Sequence, residues 1–421
     1  MKILIIGGGG REHALAAALA KSPRVKKIYC APGNAGIAEV AECHPVEVMN
    51  FLAVLTLARQ LAPDLVVIGP DDPLVGGLTD VLANAGFRVF GPNKEAAQLE
   101  GSKAYAKALM KKYGIPTAAY EVFDEAGQAY EYLKSATFPL VLKADGLALG
   151  KGVLICQDLA EAQAGVKAIM EDKQFGRAGN RLVIEECLVG REVSVLAFVA
   201  GKTVRTMASA QDHKRIGDGD SGKNTGGMGT FSPSPYYTGE VASYCQRHIF
   251  QATVDALQAE GVEYTGIIFF GLMLTAEGPR VLEYNARFGD PEAQVVLPRM
   301  ENDLLEVMEA CLDGRLADVE LYFADNAAVC VVLASQGYPE QYEKGLPISG
   351  LERFAGKEDY FCFHAGTALK DGEVVTNGGR VLGVAALGAN LAEARDKAYQ
   401  ATAWVEFAGK YMRTDIGQAL R

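Results

Sequence analysis

The chain has 421 residues, of which 49% are hydrophobic and 22% are charged, and its net charge is -11. This length exceeds one ordinary hydrophobic core and predicts roughly two to four domains. The acidic balance excludes a nucleic-acid partner, which would require a basic surface. The longest apolar stretch, 266–274, is too short to span a bilayer, and the first residues read as a strand and not as a secretory signal. We therefore expect a cytoplasmic protein that contacts no membrane.

The first 92 residues alternate predicted strands with predicted helices, which indicates a parallel sheet covered on both faces. The strands are expected at 2–6, 26–30, 64–68 and 87–90, and the helices at 11–20, 50–61 and 73–85. Ligands of such sheets bind at the carboxyl ends of the strands, where residues 69–73 (GPDDP) lie.

The first strand runs into four glycines, in the sequence ILIIGGGGREH over residues 3–13. A dinucleotide fingerprint needs a third glycine where Glu12 or His13 stands, and an acidic residue at the tip of the second strand, where this chain has none. Two interpretations stay open, and we favour an anion-binding turn at a helix start over a nicotinamide site.

The rest of the chain is predicted to form further α/β and α+β units. A long helix at 94–113 leads to a small module, with strands at 118–123, 138–143, 152–156 and 181–187 and helices at 125–134 and 159–170. Four strands (191–199, 203–208, 264–274, 279–284) and a helix (239–259) follow. The last hundred residues are expected to hold strands at 327–334, 359–369 and 381–387 and a helix at 391–405.

Residues 211–235 are rich in glycine and polar side chains and have neither a helical nor a strand period. Loops of this length inside a compact domain are usually functional or disordered. Met228, Phe231 and the prolines are unlike a solvated linker, so we expect a functional loop without regular structure.

The sequence KADGLALGKGV, residues 143–153, contains three glycines and two lysines. Glycines permit the close approach that a hairpin covering a polyphosphate requires, and lysines supply positive charge. It is not a P-loop, because no Ser or Thr follows Lys151 and the next element is a strand. The alternative is a mobile hairpin with solvated lysines.

Two further stretches combine buried strands with carboxylates. Glu185 and Glu186 must face opposite sides of their strand, so at most one of them can enter a site. There it could accept a hydrogen bond from an adenine amine, while Glu192 accepts hydrogen bonds from ribose hydroxyls. The alternative is a strand end whose carboxylates are solvated. Glu283 and Asn285 share one face of a later strand, which suits a hard cation that also binds phosphates. Arg287, two residues on, is suited to hold a carboxylate or phosphate.

The order of these pieces resembles the ATP-grasp superfamily. Within it, five stretches closely resemble the phosphoribosylamine-glycine ligase family: GGGGREHAL (7–15), APGNAG (31–36), KADGLALGKGV (143–153), DHKRIGDGDSGKNTGGMG (212–229) and EYNARFGDPE (283–292). The resemblance implies a Rossmann-like N-terminal parallel sheet over 1–100, an ATP-grasp fold over 101–325 with a mobile lid at 118–187, and a small mixed C-terminal domain over 326–421. The fold class is therefore α/β and α+β, in several domains.

The family's reaction joins glycine to 5-phosphoribosylamine with ATP in purine biosynthesis, through a glycyl phosphate. The resemblance implies ATP and Mg²⁺ or Mn²⁺ as cofactors and small molecules as the only substrates. We expect a monomer that makes at most transient contact with the upstream pathway enzyme.

The resemblance also assigns site residues. The expected catalytic residues are Arg287, Lys143 and Asp290, and the expected metal ligands are Glu283 and Asn285. The expected nucleotide-binding residues are Lys103, Lys143, Gly146, Gly150, Lys151, Gly152, Glu185, Glu186, Leu188 and Glu192. The expected substrate-binding residues are Gly8, Gly9, Gly10, Asn34, Asp71, Asp212, Lys214, Asn224, Gly226, Gly227, Met228, Arg287 and Asp290.

One stretch departs from the superfamily pattern. Related enzymes carry another metal carboxylate shortly before the Glu-x-Asn strand, whereas residues 270–273 read FGLM here. A second ion would then rest on water and phosphates. The alternative functions are another ATP-grasp ligase or carboxylase, a nicotinamide-dependent oxidoreductase built on the first ninety residues, and a nucleotide sensor without turnover.

Overall fold

A five-stranded parallel sheet forms from the first 90 residues of the chain, whose computed structural model describes residues 1–148 and 152–418. In spatial order the strands are Glu42–Cys43, Lys27–Pro32, Lys2–Gly7, Leu65–Ile68 and Val89–Phe90. The helices are Gly10–Ala20, Phe51–Leu61, Asp71–Gly76 and Leu78–Asn84, with a 3-10 turn at Ile37–Glu39. The predicted parallel sheet is confirmed, but the helix expected at 73–85 is broken at Gly77, whose φ is +96°.

The carboxylate of Glu12 folds back over the glycines that follow the first strand. Its Oε2 accepts a hydrogen bond from Gly9 N at 2.6 Å, and its Oε1 accepts one from Arg11 Nε at 2.6 Å. A Cβ placed on Gly7 would lie 2.5 Å from Glu12 Cγ, and one on Gly69 would overlap Glu12 Oε1. Glycine is therefore needed at Gly7 and Gly69 because the Glu12 side chain occupies the space.

The other glycines of this turn also make room for protein atoms. A Cβ on Gly8 would lie 2.5 Å from the carbonyl oxygen of Gly33, and a Cβ on Gly10 would lie 2.5 Å from Gln294 Nε2. The four-glycine sequence is thus explained by close packing within the protein, whether or not an anion also binds there.

A small antiparallel sheet forms the module predicted after the first unit. Its strands, in spatial order, are Tyr120–Phe123, Leu182–Glu186, Leu140–Ala144 and Val153–Cys156. Its helices are Ala126–Leu133 and Leu159–Val166, extended by a π-helical turn at Lys167–Glu171, with a 3-10 turn at Gly176–Asn180. We call this module the lid sheet.

The single helix expected at 94–113 is wrong. The structure has two helices, Gln98–Gly101 and Lys103–Tyr113, separated by Ser102 in an extended conformation. The Ser102 hydroxyl accepts a hydrogen bond from Tyr105 N, which caps the second helix and explains the break.

The central sheet is antiparallel and follows the predicted strands closely. Its strands, in spatial order, are Thr203–Thr206, Arg191–Ala200, Thr265–Thr275 and Gly278–Asn285. Its helices are Gly239–Cys245 and Gln251–Ala259, joined by a π-helical turn at Gln246–Phe250. The largest core cluster joins the inner face of this sheet to the first helix, Gly10–Ala20, and to a later helix, Leu304–Leu312.

The C-terminal sheet contains strands from two distant parts of the chain. In spatial order they are Gln211–Asp212, Gly229–Ser232, Ala327–Ser335, Arg380–Gly388 and Tyr360–His364, and Lys410–Tyr411 pairs with Ala327–Ser335. The other elements are hairpins at Arg215–Gly217/Ser221–Asn224 and Thr367–Lys370/Glu373–Thr376, helices at Ala293–Val296 and Leu391–Thr402, and 3-10 turns at Leu297–Arg299, Leu316–Asp318 and Leu351–Phe354.

Two predictions in this region are wrong. The segment 211–235 is not structureless: four short strands form there, because its backbone pairs with Ala327–Ser335 and with itself. The single strand expected at 359–369 divides into Tyr360–His364 and Thr367–Lys370, which belong to different sheets. The chain turns at Gly366, whose backbone packs directly against Gly378. Within the described ranges, no helix is both long and apolar enough to cross a membrane.

The packing of Glu12 against Gly69 predicts a specific loss of stability. Gly69→Ala places a methyl group onto a buried carboxylate, and overpacking of this kind costs about 1–3 kcal/mol. Thermal denaturation should show a lower Tm for this variant. Gly127→Ala is the control, because the helical site has nothing within 4 Å of the added Cβ. Equal Tm values for the two variants would contradict this packing.

Candidate active site

A cavity of about 1450 Å³ lies where the four larger sheets meet. We call the part under the lid sheet the lid end; it is lined by Lys103, Lys143, Glu185, Leu188, Glu192 and Glu283. We call the part beside the N-terminal glycines the glycine end; it is lined by Gly8, Gly9, Asp71, Gly366 and Asn377.

The lid end combines positive charge with a buried carboxylate. Lys143 Nζ lies 2.9 Å from Glu185 Oε2 and also donates to the carbonyl of Leu282. Lys107 Nζ lies 2.9 Å from the same oxygen. Lys103 Nζ donates to the carbonyl of Gly146 at 2.8 Å, and burial lowers the Lys103 pKa. Apolar side chains line the same end: Met110, Val141, Ile155, Met273 and Leu282.

The two adjacent glutamates of this strand behave as the alternation of side chains predicts. Glu185 is 3% exposed, whereas Glu186 is exposed and its carboxylate accepts hydrogen bonds from Ala119 N and Arg280. Glu185 Oε1 is buried, and no described residue donates a hydrogen bond to it. A ligand that donates at this position would therefore satisfy a buried acceptor.

Glu283 and Asn285 both line the cavity from the strand Gly278–Asn285. Glu283 Oε1 lies 2.8 Å from Lys214 Nζ, and the charge of Lys214 lowers the pKa of this carboxyl to about 2. Asn285 Oδ1 accepts a hydrogen bond from Arg287 Nη2 at 3.1 Å. Glu283 is thus ionised at neutral pH, as a metal ligand must be.

These donors fit a hard divalent cation. One carboxylate and one amide oxygen on the same strand face are oxygen ligands of the kind Mg²⁺ prefers, and two such ligands leave room for phosphates and water. No group of three or more His, Cys, Asp or Glu side chains within residues 1–148 and 152–418 could hold a metal by itself. A cation here would therefore depend on a phosphate-bearing ligand.

Arg287 is surrounded by acidic groups. Its Nη2 lies 3.1 Å from Glu100 Oε1 and 3.8 Å from Asp71 Oδ2. Its Nε is buried and has no acceptor among the described residues. Burial raises the pKa of Glu100 to about 7, against the opposing charge of Arg287. The unpaired Nε is a donor that an anionic substrate group could use.

Asp290 is held by residues from three parts of the chain. It accepts hydrogen bonds from Gln294 Nε2 at 2.9 Å and Arg11 N at 3.3 Å, and it lies 3.4 Å from Arg380 Nη2. Arg380 also donates to the carbonyls of Gly226 and Asp290. The C-terminal sheet thus fixes both Asp290 and the glycine-rich turn beside it.

Two further acidic residues, Asp212 and Glu292, line the same cavity. Burial, followed by the nearby charge of Glu292, raises the pKa of Asp212 well above its ordinary value. A Cβ on Gly227 would lie 2.6 Å from Asp212 Oδ1, so glycine is required for this approach. Asp212, Lys214, Asn224 and Gly226 line the cavity, whereas the side chain of Met228 is fully buried.

The side chain of Asn34 connects its own loop to the N-terminal glycines and to the C-terminal sheet. Its Nδ2 donates to the carbonyls of Gly8 and His364, at 2.9 and 2.7 Å, and its Oδ1 accepts from Gly36 N and Ile37 N. These contacts occupy the whole side-chain amide. Gly150 and Lys151 lie outside the described residues.

Three family profiles match the chain in order: the N domain of phosphoribosylglycinamide synthetase at 1–100, its ATP-grasp (A) domain at 101–293, and its C domain at 328–419. The chain belongs to the phosphoribosylglycinamide synthetase family. The resemblance drawn from the motifs is confirmed, and so are the ATP-grasp fold and the class of ATP-dependent ligase.

Several relatives support this assignment. A phosphoribosylamine-glycine ligase of Caldanaerobacter subterraneus subsp. tengcongensis is 47% identical over 99% of both chains. A trifunctional purine biosynthetic protein of Gallus gallus is 48% identical over 99% of this chain, which spans 42% of that protein. The crystal structure of a phosphoribosylamine-glycine ligase from Thermotoga maritima matches with a TM-score of 0.85 and 37% identity, over 99% of this chain and 100% of that one.

More distant structures share only the fold. A biotin carboxylase domain from Hydrogenobacter thermophilus, in complex with MgADP, ADP and bicarbonate, matches with a TM-score of 0.75 and 16% identity. It covers 98% of this chain and 91% of that one.

Most residues proposed from the motifs line one cavity although they come from distant segments. The sequence does not single out four residues that interact with them. Lys107, Glu100 and Arg380 contact proposed site residues, and Glu292 acts on Asp212 through its charge. Lys107 lies one helical turn after Lys103, and this i, i+4 spacing was the available signal. Arg380 had no local signal, because its contacts form only when the C-terminal sheet packs against the site.

The raised pKa of Glu100 predicts a pH-dependent stability. Between about pH 4.5 and 7 the folded state binds more protons than the unfolded state, so stability should fall as pH rises through this window, by at most about 3 kcal/mol. Glu100→Gln should flatten the fall in a urea-denaturation series from pH 4.5 to 8. The exposed Glu95→Gln is the control and should retain the wild-type slope. An unchanged slope in Glu100→Gln would refute a buried, proton-binding Glu100.

Proposed function

We propose that this protein joins glycine to 5-phosphoribosylamine with ATP, giving glycinamide ribonucleotide, ADP and phosphate in purine biosynthesis. The family supplies the reaction, and the observation that carries it to this chain is one cavity that brings together Lys103, Lys143, Glu283, Asn285 and Arg287. These residues offer the charges that a triphosphate and a carboxylate require.

The chemistry has two steps. A carboxylate oxygen of glycine attacks the γ-phosphorus of ATP, the bond to the β-phosphate oxygen breaks, and glycyl phosphate and ADP result. The amine nitrogen of phosphoribosylamine then attacks the glycyl carbonyl carbon, phosphate leaves with the carbon–oxygen bonding electrons, and the nitrogen loses a proton. Both steps move negative charge among phosphoryl oxygens, so fixed positive charge in a closed site stabilises them.

The proposed nucleotide site is the lid end. Lys103 and Lys143 bind phosphate oxygens, and Gly146 and Gly152, which line the same cavity, lie over them. The purine lies among the apolar side chains of this end. Glu185 Oε1 and the backbone near Leu188 form hydrogen bonds with the edge of the purine, and Glu192 accepts hydrogen bonds from the ribose hydroxyls.

Mg²⁺, or Mn²⁺, would be held by Glu283 and Asn285, and when bound it neutralises phosphate oxygens. Lys214 balances the charge of Glu283 when no cation is present. Arg287, through its unpaired Nε, holds an anionic group of the reacting substrate, and Asp290 orients the neighbouring turn. The glycine end, with Gly8, Gly9 and Asp71, receives phosphoribosylamine.

We assign the chain a three-part division at 1–100, 101–325 and 326–421, with 118–187 as the moving lid. We also assign it to the cytoplasm and to a monomeric state, with transient contact with the enzyme that supplies phosphoribosylamine. Analytical sedimentation with and without nucleotide tests both the oligomeric state and the closure of the lid. Lid movement changes the shape of a monomer and leaves its mass unchanged.

The decisive assay measures glycine-dependent ADP release with phosphoribosylamine generated in place, repeated with each substrate left out. ADP release that requires ATP, glycine and phosphoribosylamine supports the proposal. Release with bicarbonate or formate in place of glycine would point instead to another ATP-grasp ligase or carboxylase.

Glu283→Ala should abolish turnover and only weaken ADP binding, because contacts to a metal strengthen as charge develops in the transition state. Turnover is measured by the same assay, and ADP affinity by calorimetry with excess Mg²⁺. Glu277→Ala, in the exposed turn of the same hairpin, is the matched control and should keep full activity. A Glu283→Ala rate above about a tenth of wild type, only ~1.4 kcal/mol of barrier, would contradict the assigned role.

A further inference from the structure

Two lysines contact one oxygen of a buried glutamate at the lid end. Lys107 Nζ and Lys143 Nζ each lie 2.9 Å from Glu185 Oε2, and the three side chains are only 3%, 8% and 2% exposed. One cation would be enough to balance one carboxylate, so the second lysine requires an explanation. Glu185 Oε1 is left buried without a donor among the described residues.

Lys107 has a second partner besides Glu185. Its Nζ donates to Thr117 Oγ1 at 2.8 Å, and the Thr117 hydroxyl donates in turn to the carbonyl of Val281 at 2.7 Å. Val281 lies in the strand that continues to Glu283. Lys107 therefore ties its own helix, the lid sheet and the metal-ligand strand together at the carboxylate of Glu185.

We propose that Lys107 is a positioning residue that holds Glu185 as an ionised acceptor for the 6-amino group of the purine, and so sets the preference for adenosine over inosine triphosphate. This inference rests on the proposed function, in which Lys143 turns to the phosphates. When Lys143 does so, Lys107 remains as the positive charge that keeps Glu185 ionised.

Loss of Lys107 should change the chemistry of Glu185. A buried carboxylate that loses its cations takes up a proton. A carboxylic acid can donate a hydrogen bond to a 6-oxo group as well as accept one from a 6-amino group. The two purines differ in the 6-substituent and in the proton that hypoxanthine carries on N1. A protonated Glu185 therefore discriminates less well at the 6-position, and any discrimination at N1 is the same in every Lys107 variant.

The test compares kcat/KM for ATP and for inosine triphosphate in glycine-dependent phosphate release. The wild type should favour ATP, and Lys107→Met should reduce this ratio about tenfold, as expected for one hydrogen bond to a charged group. Lys107→Arg keeps the charge and should restore the ratio to within about threefold of wild type. Lys111→Met removes an exposed lysine one turn later, beside the same Tyr120 ring, and should leave the ratio unchanged.

The pH dependence of the same ratio gives a second readout, and Lys107→Gln serves for it if Lys107→Met does not fold. Raising the pH removes protons, so it returns a protonated Glu185 to the carboxylate. The ATP preference of Lys107→Met should therefore recover as pH rises between about 6 and 8, whereas the wild-type and Lys107→Arg ratios should stay flat. Effects on the phosphates cancel, because both nucleotides share them. The titratable groups that face Lys107 are Glu185, Glu186, Lys143, Tyr120 and Lys111 beside that ring.

The outcomes separate this inference from the proposed function. Phosphate release that does not depend on glycine with either nucleotide overturns the proposed function. Glycine-dependent release with an ATP preference that survives Lys107→Met and stays flat with pH overturns the role of Lys107 alone. An equal loss of activity with both nucleotides would show a purely structural lysine.

Discussion

A carboxyl group inside a protein must either be balanced by positive charge or take up a proton, and this requirement organises the cavity. Glu185 is held by two lysines, Glu283 by Lys214, and Glu100 by Arg287. The same arrangement places cations where a polyphosphate and a carboxylate substrate would need them. Binding can then exchange one set of partners for another, and the site needs little reorganisation to offset charge that develops during the reaction.

The site is assembled from every part of the fold. The central sheet supplies Glu283 and Asn285, the lid sheet supplies Lys143 and Glu185, and the C-terminal sheet fixes Asp290 through Arg380. Segment 211–232 is the clearest example, because it leaves the central sheet, pairs with Ala327–Ser335 and returns. Substrate contacts and tertiary structure therefore depend on each other here.

The sequence predicts those features of the fold and the site that depend on the geometry of a single strand. The buried parallel strands, the alternation that separates Glu185 from Glu186, and the shared face of Glu283 and Asn285 all follow from strand geometry. The sequence predicts an anionic ligand beside the glycines that follow the first strand, whereas in the structure Glu12 and neighbouring backbone fill the space beside them. The strands within 211–235 and the contacts of Arg380 arise from distant pairing, which no window of sequence contains.

The central claim is that the triphosphate binds at the lid end, between the lysines and the Glu283–Asn285 pair. A crystal structure of the full chain with Mg²⁺ and a non-hydrolysable ATP analogue tests it most directly. The claim predicts phosphate oxygens within contact of Lys103 and Lys143, and a cation shared by Glu283, Asn285 and the phosphates. Density for the triphosphate at Gly8 and Gly9, with the lid end empty, would contradict it.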